Sequence, residues 1–234
     1  MAKVKVAQCW DDGVCNDIRV TDILRKYNAK ATFNLNPGAH GLTRVPTSWA
    51  MPGDAGWGFH GFRAGKLSVA DLTEIYDGFQ VASHCWRHEN AGDNPDDVFF
   101  KAAMDGRRYL EDLFQRPCHG FAWPCGKTTP KTADLLLEAG FEYGRTTQYN
   151  ANVLDYTHPM LLNSNCHFQD RNFYNLYKAA KETSGVFYFW GHSYEMLDSD
   201  GLWNQYEQKI KFISEDPDAE WIDVIDIVHL PRQK

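Results

Sequence analysis

The sequence predicts a parallel α/β fold of the barrel kind. Short apolar segments alternate with amphipathic segments of helical period along the whole chain, the signature of a mostly parallel sheet. At 234 residues the chain suits one α/β barrel, so a single domain over 1–234 is expected. The groups with chemical potential each fall just after a predicted strand, and in parallel barrels those strand ends share one face, which carries the active site.

The first strand is Val4–Trp10, followed by a helix over Asp17–Tyr27 with Ile18, Ile23, Leu24 and Tyr27 as its apolar stripe. Ala31–Leu35 reads as the second strand. Residues 37–67 then break the rhythm with seven glycines, three prolines and a scatter of aromatics. Structureless stretches of that length are uncommon, and the competing readings are a surface excursion and an aromatic rim over the active site. Ser68 and Asp71 form a capping box that starts a helix to Tyr76, and Phe79–Ser83 is a short strand. Asp93–Asp97, with a proline and acids in its first turn, opens a helix to Phe114. Strands over Cys118–Trp123, Tyr143–Thr147 and Met160–Phe168 follow, with a helix over Pro130–Ala139 closed by Gly140. A helix over Asn172–Thr183, a strand over Val186–Trp190, a helix over Leu202–Ser214 and a final strand over Trp221–Val228 complete seven or eight βα-like units.

Apolar residues make up 43% and charged residues 24% of the chain, an ordinary globular balance. The net charge is −7 and no basic run stands out, which excludes nucleic-acid and anionic-membrane partners as expectations. Neutral or cationic ligands fit that balance better. No segment is long and apolar enough to span a membrane, and no signal peptide is visible. As written the chain reads as cytoplasmic, with a trimmed secreted form as the alternative. Cysteines 9, 15, 85, 118, 125 and 166 include no C-x-x-C pair and read as free thiols. The oligomeric state is not legible.

Asp11 and Asp12 end the first apolar run, and Gly13 follows. Neighbouring strand residues face opposite ways, so a sharp turn at the glycine is needed to bring both carboxylates into one pocket. Such a pair suits a division of labour in which one carboxylate holds a metal and the other stays free as a base. His84 and His88 form an H-x-x-x-H pair, which on a helical turn would share a face and meet one ion. With Asp12 they make a His₂Asp set, and three protein ligands plus an open water position describe a catalytic zinc site.

Trp10-Asp11-Asp12-Gly13, His84-x-x-x-His88, Phe121–Gly126 and Trp190-Gly191-His192 occur in the order seen in the polysaccharide deacetylases, carbohydrate esterase family four, which this chain resembles over about residues 4–192. Ala31-Thr32-Phe33 is similar as well. The resemblance implies a distorted, incomplete (β/α) barrel of about seven parallel strands. It implies Asp11 as general base, Asp12, His84 and His88 as metal ligands, His192 as general acid and the Cys125 backbone N–H as oxyanion donor. The implied cofactor is a divalent metal, zinc first with cobalt or nickel as alternatives. Trp123, Pro124 and Trp190 are candidates for contacting substrate, where apolar faces suit sugar rings.

Three departures from the family pattern stand out. Ala122 occupies the place of the arginine that orients the base, and Arg145 is the proposed substitute, against the competing reading of an ordinary surface arginine. Cys85 replaces the usual hydroxyl residue after the first ligand histidine and reads as a small packed hydrophobe. The aspartate that tunes the acid histidine is not recognisable, with Asp155 and Asp170 as weak candidates. His167 reads as a satisfied, half-buried histidine with substrate contact as the alternative. The function expected is removal of acetyl groups from an acetylated carbohydrate, N-acetylamino sugars first, by attack of a metal-bound water. The alternatives are an amidohydrolase acting on a small cytosolic amide or imide, and a non-catalytic carbohydrate-binding relative.

Overall fold

In the computed structural model, which describes residues 3–231, strand β1 (Val4–Asp11) lies at the centre of a parallel sheet. All of its residues but Lys5 are buried, as expected of a strand covered on both faces. In chain order there follow α1 (Asp17–Lys26), β2 (Thr32–Leu35), the two-residue strands β3 (Ser48–Trp49) and β4 (Phe62–Arg63), α2 (Val69–Ile75) and β5 (Gln80–Ser83). Next come α3 (Asp96–Phe114), β6 (Gly120–Ala122), α4 (Pro130–Glu138), β7 (Tyr143–Tyr149), β8 (Leu162–Ser164), β9 (Cys166–His167) and α5 (Phe173–Glu182). The chain ends with β10 (Val186–Gly191), α6 (Asp200–Ser214), β11 (Ala219–Trp221) and α7 (Val224–His229).

The main sheet runs β8-β7-β6-β5-β2-β1-β10-β9, all parallel, with β11 added to β1. These eight strands curl into a nearly closed barrel, in line with the seven or eight units expected. Its seam is a single stretch of chain: β8 pairs with β7, and β9, starting two residues after β8 ends, pairs with β10. Asn165 stitches the gap, donating through Nδ2 to the carbonyls of Asn150 and Ala151 and accepting at Oδ1 from the Tyr188 N–H. The expected strand over Met160–Phe168 is therefore two short strands with a kink at Asn165 and a 3₁₀ turn, Pro159–Leu161, before them.

The expected final strand over Trp221–Val228 is also corrected. Only Ala219–Trp221 is extended, and Val224–His229 is α7. Asp223 and Asp226 form a reciprocal capping box, and Val224 and Ile227, three residues apart, are the buried pair.

Side chains alternate about the barrel wall with period two. On β1, Ala7 and Cys9 join Tyr143, Tyr188 and Trp190 in one apolar cluster, while Val6 and Trp10 join Phe187 and Phe189 in the layer beneath the helices. Asp11 continues the Ala7–Cys9 parity, Arg145 that of Tyr143, and His192 that of Tyr188 and Trp190. Three polar groups are thus delivered to one mouth by strand parity alone. No helix among the described residues is long and apolar enough to cross a membrane.

Candidate active site

The mouth of the barrel opens on a cavity of about 600 Å³ lined by Asp11, Asp12, His84, His88, Arg145 and His192, among others. Strand parity explains Asp11 but not Asp12. The backbone turns left-handed at Asp12 (φ 83°) and Gly13 (φ 63°), which swings the second carboxylate to the same side. A glycine is required here, since a Cβ at position 13 would lie 2.6 Å from the His40 ring.

The two carboxylates have different surroundings. Asp11 is buried, accepts from Asn34 Nδ2 at 2.7 Å and is paired through Oδ2 with the Arg145 guanidinium. Burial alone would raise its pKa, but the Arg145 charge, with His84 and His192, holds the carboxyl well below the usual carboxylate range. Asp12 is held less tightly: Asn36 Nδ2 donates to Oδ1 at 3.2 Å, and Lys66 Nζ donates to its backbone carbonyl. Burial pushes the Asp12 carboxyl up, and Lys66 and His84 outweigh it to leave a net depression.

Arg145 lies opposite Ala122 in the β6–β7 register. The guanidinium thus comes from the neighbouring strand at the same level of the barrel, and it is fully buried, with its face over the Trp190 ring at 4.6 Å.

His84 is buried, and its Nδ1 lies 2.8 Å from the Ala122 carbonyl. That acceptor fixes the N–H on Nδ1 and leaves Nε2, 3.9 Å from Asp12 Oδ1, with its lone pair toward the cavity. The His84–His88 stretch is not the helical turn its spacing suggested. Cys85 (φ 64°) and His88 (φ 70°) are left-handed, and the two rings meet edge-on, 4.7 Å between centroids. One ligand atom from each of Asp12, His84 and His88 lies within 4.8 Å of the others. Bonds of ~2.1 Å to a tetrahedral zinc put ligand atoms about 3.4 Å apart, so a modest contraction brings the three onto one ion. The donor set, with one histidine anchored behind by a carbonyl, fits a divalent cation.

His192 follows β10. Its Nε2 is 3.7 Å from Asp11 Oδ2, its Nδ1 is 3.4 Å from Glu195 Oε1, and its ring stacks on Tyr194. Glu195 also accepts from the His192 backbone N–H at 3.0 Å and lies 2.8 Å from His167 Nε2. Burial alone would lower the His192 pKa, but Glu195 and the two aspartates raise it, while Glu195 itself, despite burial, is brought down to about 2 by His167 and His192. The cavity thus drives Asp11 toward its charged form and His192 toward its protonated form.

Glu195 occupies the place sought at Asp155 and Asp170. Asp155 is an exposed loop residue, and Asp170 caps the backbone of Asn172. The 3₁₀ turn Ser193–Met196 brings Glu195 back under His192, a geometry no spacing rule announced. Asn34, Asn36 and Lys66 were also missed, although two asparagines at the end of an apolar strand are the same signal that singled out Asp11. Glu195→Gln is expected to lower kcat about tenfold or more and to move the alkaline limb of the pH–rate profile to lower pH. The sign follows from the carboxylate's role: removing it lets the imidazolium lose its proton earlier. A purely structural Glu195 would leave that limb in place.

Cys125 is left-handed (φ 52°) in the turn Pro124–Gly126, and its backbone N–H has no hydrogen-bond partner among the described residues. Trp123 and Trp190 line the cavity, whereas Pro124 is buried and does not. Trp123 is spent mainly in the core, with Nε1 donating to the Met160 carbonyl at 2.7 Å and its ring stacked on Phe99. From the 37–67 excursion, Trp57 reaches the cavity wall and packs edge-on against Tyr194. Cys85 is buried beneath α3 against Gly106, and all six cysteines are free.

Comparison with known structures places this barrel among the deacetylase folds. It aligns over 100% of its length with 94% of a putative polysaccharide deacetylase from Mycobacterium smegmatis, at 15% identity and a TM-score of 0.65. A family 4 acetyl xylan esterase from Clostridium thermocellum, in complex with a cobalt ion, aligns over 96% of this chain and 90% of its own at 15% identity, TM-score 0.55. The Streptococcus pyogenes deacetylase PplD, in complex with acetate, aligns over 66% of this chain at 23% identity, TM-score 0.51, and the match spans 61% of that protein. No curated protein matches by sequence. The family model described as polysaccharide deacetylase matches residues 1–144, and the chain belongs to that family. The match includes Asp11, Asp12, His84 and His88 and stops one residue before Arg145, so Arg145, His192 and Glu195 lie beyond it.

Proposed function

We propose that this chain is a divalent-metal-dependent hydrolase that removes acetyl groups from an acetylated carbohydrate, N-acetylamino sugars first. The observation that carries the reading is the convergence in one cavity of the Asp12–His84–His88 cluster, Asp11 bound to Arg145, and His192 backed by Glu195. Asp12, His84 and His88 are the residues that would hold the cation, which when bound supplies Lewis acidity to water and to the acyl oxygen. Asp11, fixed by Asn34 and Arg145, accepts the proton of the attacking water. The Cys125 N–H, a donor independent of side-chain identity, takes the negative charge that grows on the carbonyl oxygen, a role supported by its place in the cavity wall. His192, held by Glu195, delivers a proton to the departing amine, which is otherwise a poor leaving group.

A second reading, hydrolysis of a small amide, is favoured by the size of the cavity, about 600 Å³, which lies in the range of small-molecule sites. Acetate release separates the two. Zinc- or cobalt-loaded protein is expected to free acetate from N-acetylglucosamine oligomers or acetylated xylan. Turnover of small amides with no acetate from any acetylated sugar would replace the first reading by the second.

A further inference from the structure

The cavity is electrostatically unlike the protein that contains it. The chain carries a net charge of −7, yet the wall holds two carboxylates, Asp11 and Asp12, against three cationic side chains, Lys66, Arg87 and Arg145. A divalent ion on the histidine cluster would widen that surplus. Two of the cations are already engaged. Arg145 is bound to Asp11, and Lys66 donates to the Asp12 carbonyl and to Asn36 Oδ1.

Arg87 is different. It sits on the turn between His84 and His88, is exposed, and lines the cavity. Its guanidinium makes no hydrogen bond or ion pair among the described residues. The neighbouring carboxylate, Glu89, accepts instead from the Arg87 backbone N–H at 2.7 Å. Much of the remaining wall is apolar, including Val14, Trp57, Trp123 and Trp190. Arg87 is thus an unpaired guanidinium beside the metal-ligand turn, in a cavity where Asp11 already has its cation and Asp12 faces the histidine cluster.

From this we infer that the substrate carries a carboxylate close to the acyl group that is cleaved, and that Arg87 binds it and determines specificity. This rests on the hydrolase reading of the same site and narrows it. One free cation suits a monoanion, and the planar fork of an arginine matches both carboxylate oxygens. A phosphate dianion would call for the convergent backbone donors of a nest or helix start in addition. The local surplus also reverses the expectation, drawn from overall charge, that neutral or cationic ligands fit better. The carboxylate can belong to an acidic amino sugar or to an open-chain N-acyl amino acid, which share this chemistry.

Calorimetric titration with N-acetylmuramic acid and its methyl ester, and with N-acetylglutamate and its dimethyl ester, tests the inference on the wild type, Arg87→Gln and Arg87→Lys. In the wild type one acid is expected to bind about tenfold or more tighter than its ester. The preference falls to about one in Arg87→Gln and is partly kept in Arg87→Lys. The sugar pair or the open-chain pair, whichever shows the larger ratio, identifies the source of the carboxylate. Equal binding of acid and ester in the wild type, or a preference that survives Arg87→Gln, overturns the inference. Acetate release measured on the same samples separates it from the hydrolase reading. Turnover of acid and ester alike, without a binding preference, sinks the inference and leaves that reading. Acid-selective binding lost in Arg87→Gln, with no acetate freed from any probe, sinks deacetylation and keeps the carboxylate site.

Discussion

Asp11→Asn is expected to reduce kcat/KM for acetate release by about 10²–10⁴-fold, the range spanned by a positioned general base. Asparagine keeps the shape of the side chain but cannot take the proton of the attacking water. Metal content should be unaltered, because Asp11 lies outside the Asp12–His84–His88 cluster. The variant also strands a charge: Arg145 is fully buried and Asp11 is its carboxylate partner. Stability at neutral pH should therefore fall as well. The pH dependence has a defined sign. The folded-state pKa of Asp11 lies below the ordinary value of 3.8, so the pair's contribution is complete above that value and is lost as pH falls through the folded-state value. Wild-type protein should lose stability on acidification more steeply than Asp11→Asn, as followed by denaturant melts. Unchanged turnover in the variant would remove Asp11 from the chemistry.

Arg145→Ala is expected to destabilise the fold by about 3–5 kcal/mol, since it leaves a buried carboxylate without its cation. It also removes the cation held over the Trp190 ring. Turnover should drop too, most at acidic pH, because burial unopposed by the guanidinium raises the Asp11 pKa. Arg145→Lys keeps the charge without the fork and should recover part of both losses. The informative variant is the double one. Asp11→Asn with Arg145→Met removes both buried charges and should be more stable than either single variant, while acetate release stays lost. Urea unfolding and kcat/KM on wild type, Asp11→Asn, Arg145→Met and the double variant check this. Wild-type stability and turnover in Arg145→Ala would mean that the ion pair has no role.

Much of this site was legible because strand parity and strand-end placement are simple rules. Asp11, His84 and His192 each follow an apolar run, and a parallel barrel collects such ends at one mouth. Arg145 was legible only as the substitute for the arginine missing at Ala122, against the reading of an ordinary surface arginine, and its full burial beside Asp11 decides between the two. What remained hidden depends on backbone turns that residue spacing does not encode. His84 and His88 converge through left-handed residues rather than a helical turn. Glu195 reaches His192 through a 3₁₀ turn. Around Val224–Val228 the apolar residues satisfy strand and helix periods alike, and only the Asp223–Asp226 capping box decides for the helix. The closure at Asn165 is a tertiary event, set by which carbonyls its amide meets across the seam. Arg87 drew no attention because an exposed arginine is unremarkable in sequence, and its significance lies in the cavity it lines.

The most direct measurement is a zinc titration of metal-stripped protein, with bound metal and acetate release from an N-acetylamino sugar followed together in wild type, Asp12→Ala and His84→Ala. The expected result is one tightly bound zinc per wild-type chain, activity rising in step with occupancy to a plateau at one equivalent, and loss of both tight binding and activity in the two variants. Wild-type protein that binds no zinc, or that releases acetate equally well without it, would contradict the assignment of Asp12, His84 and His88 as the metal centre of a deacetylase.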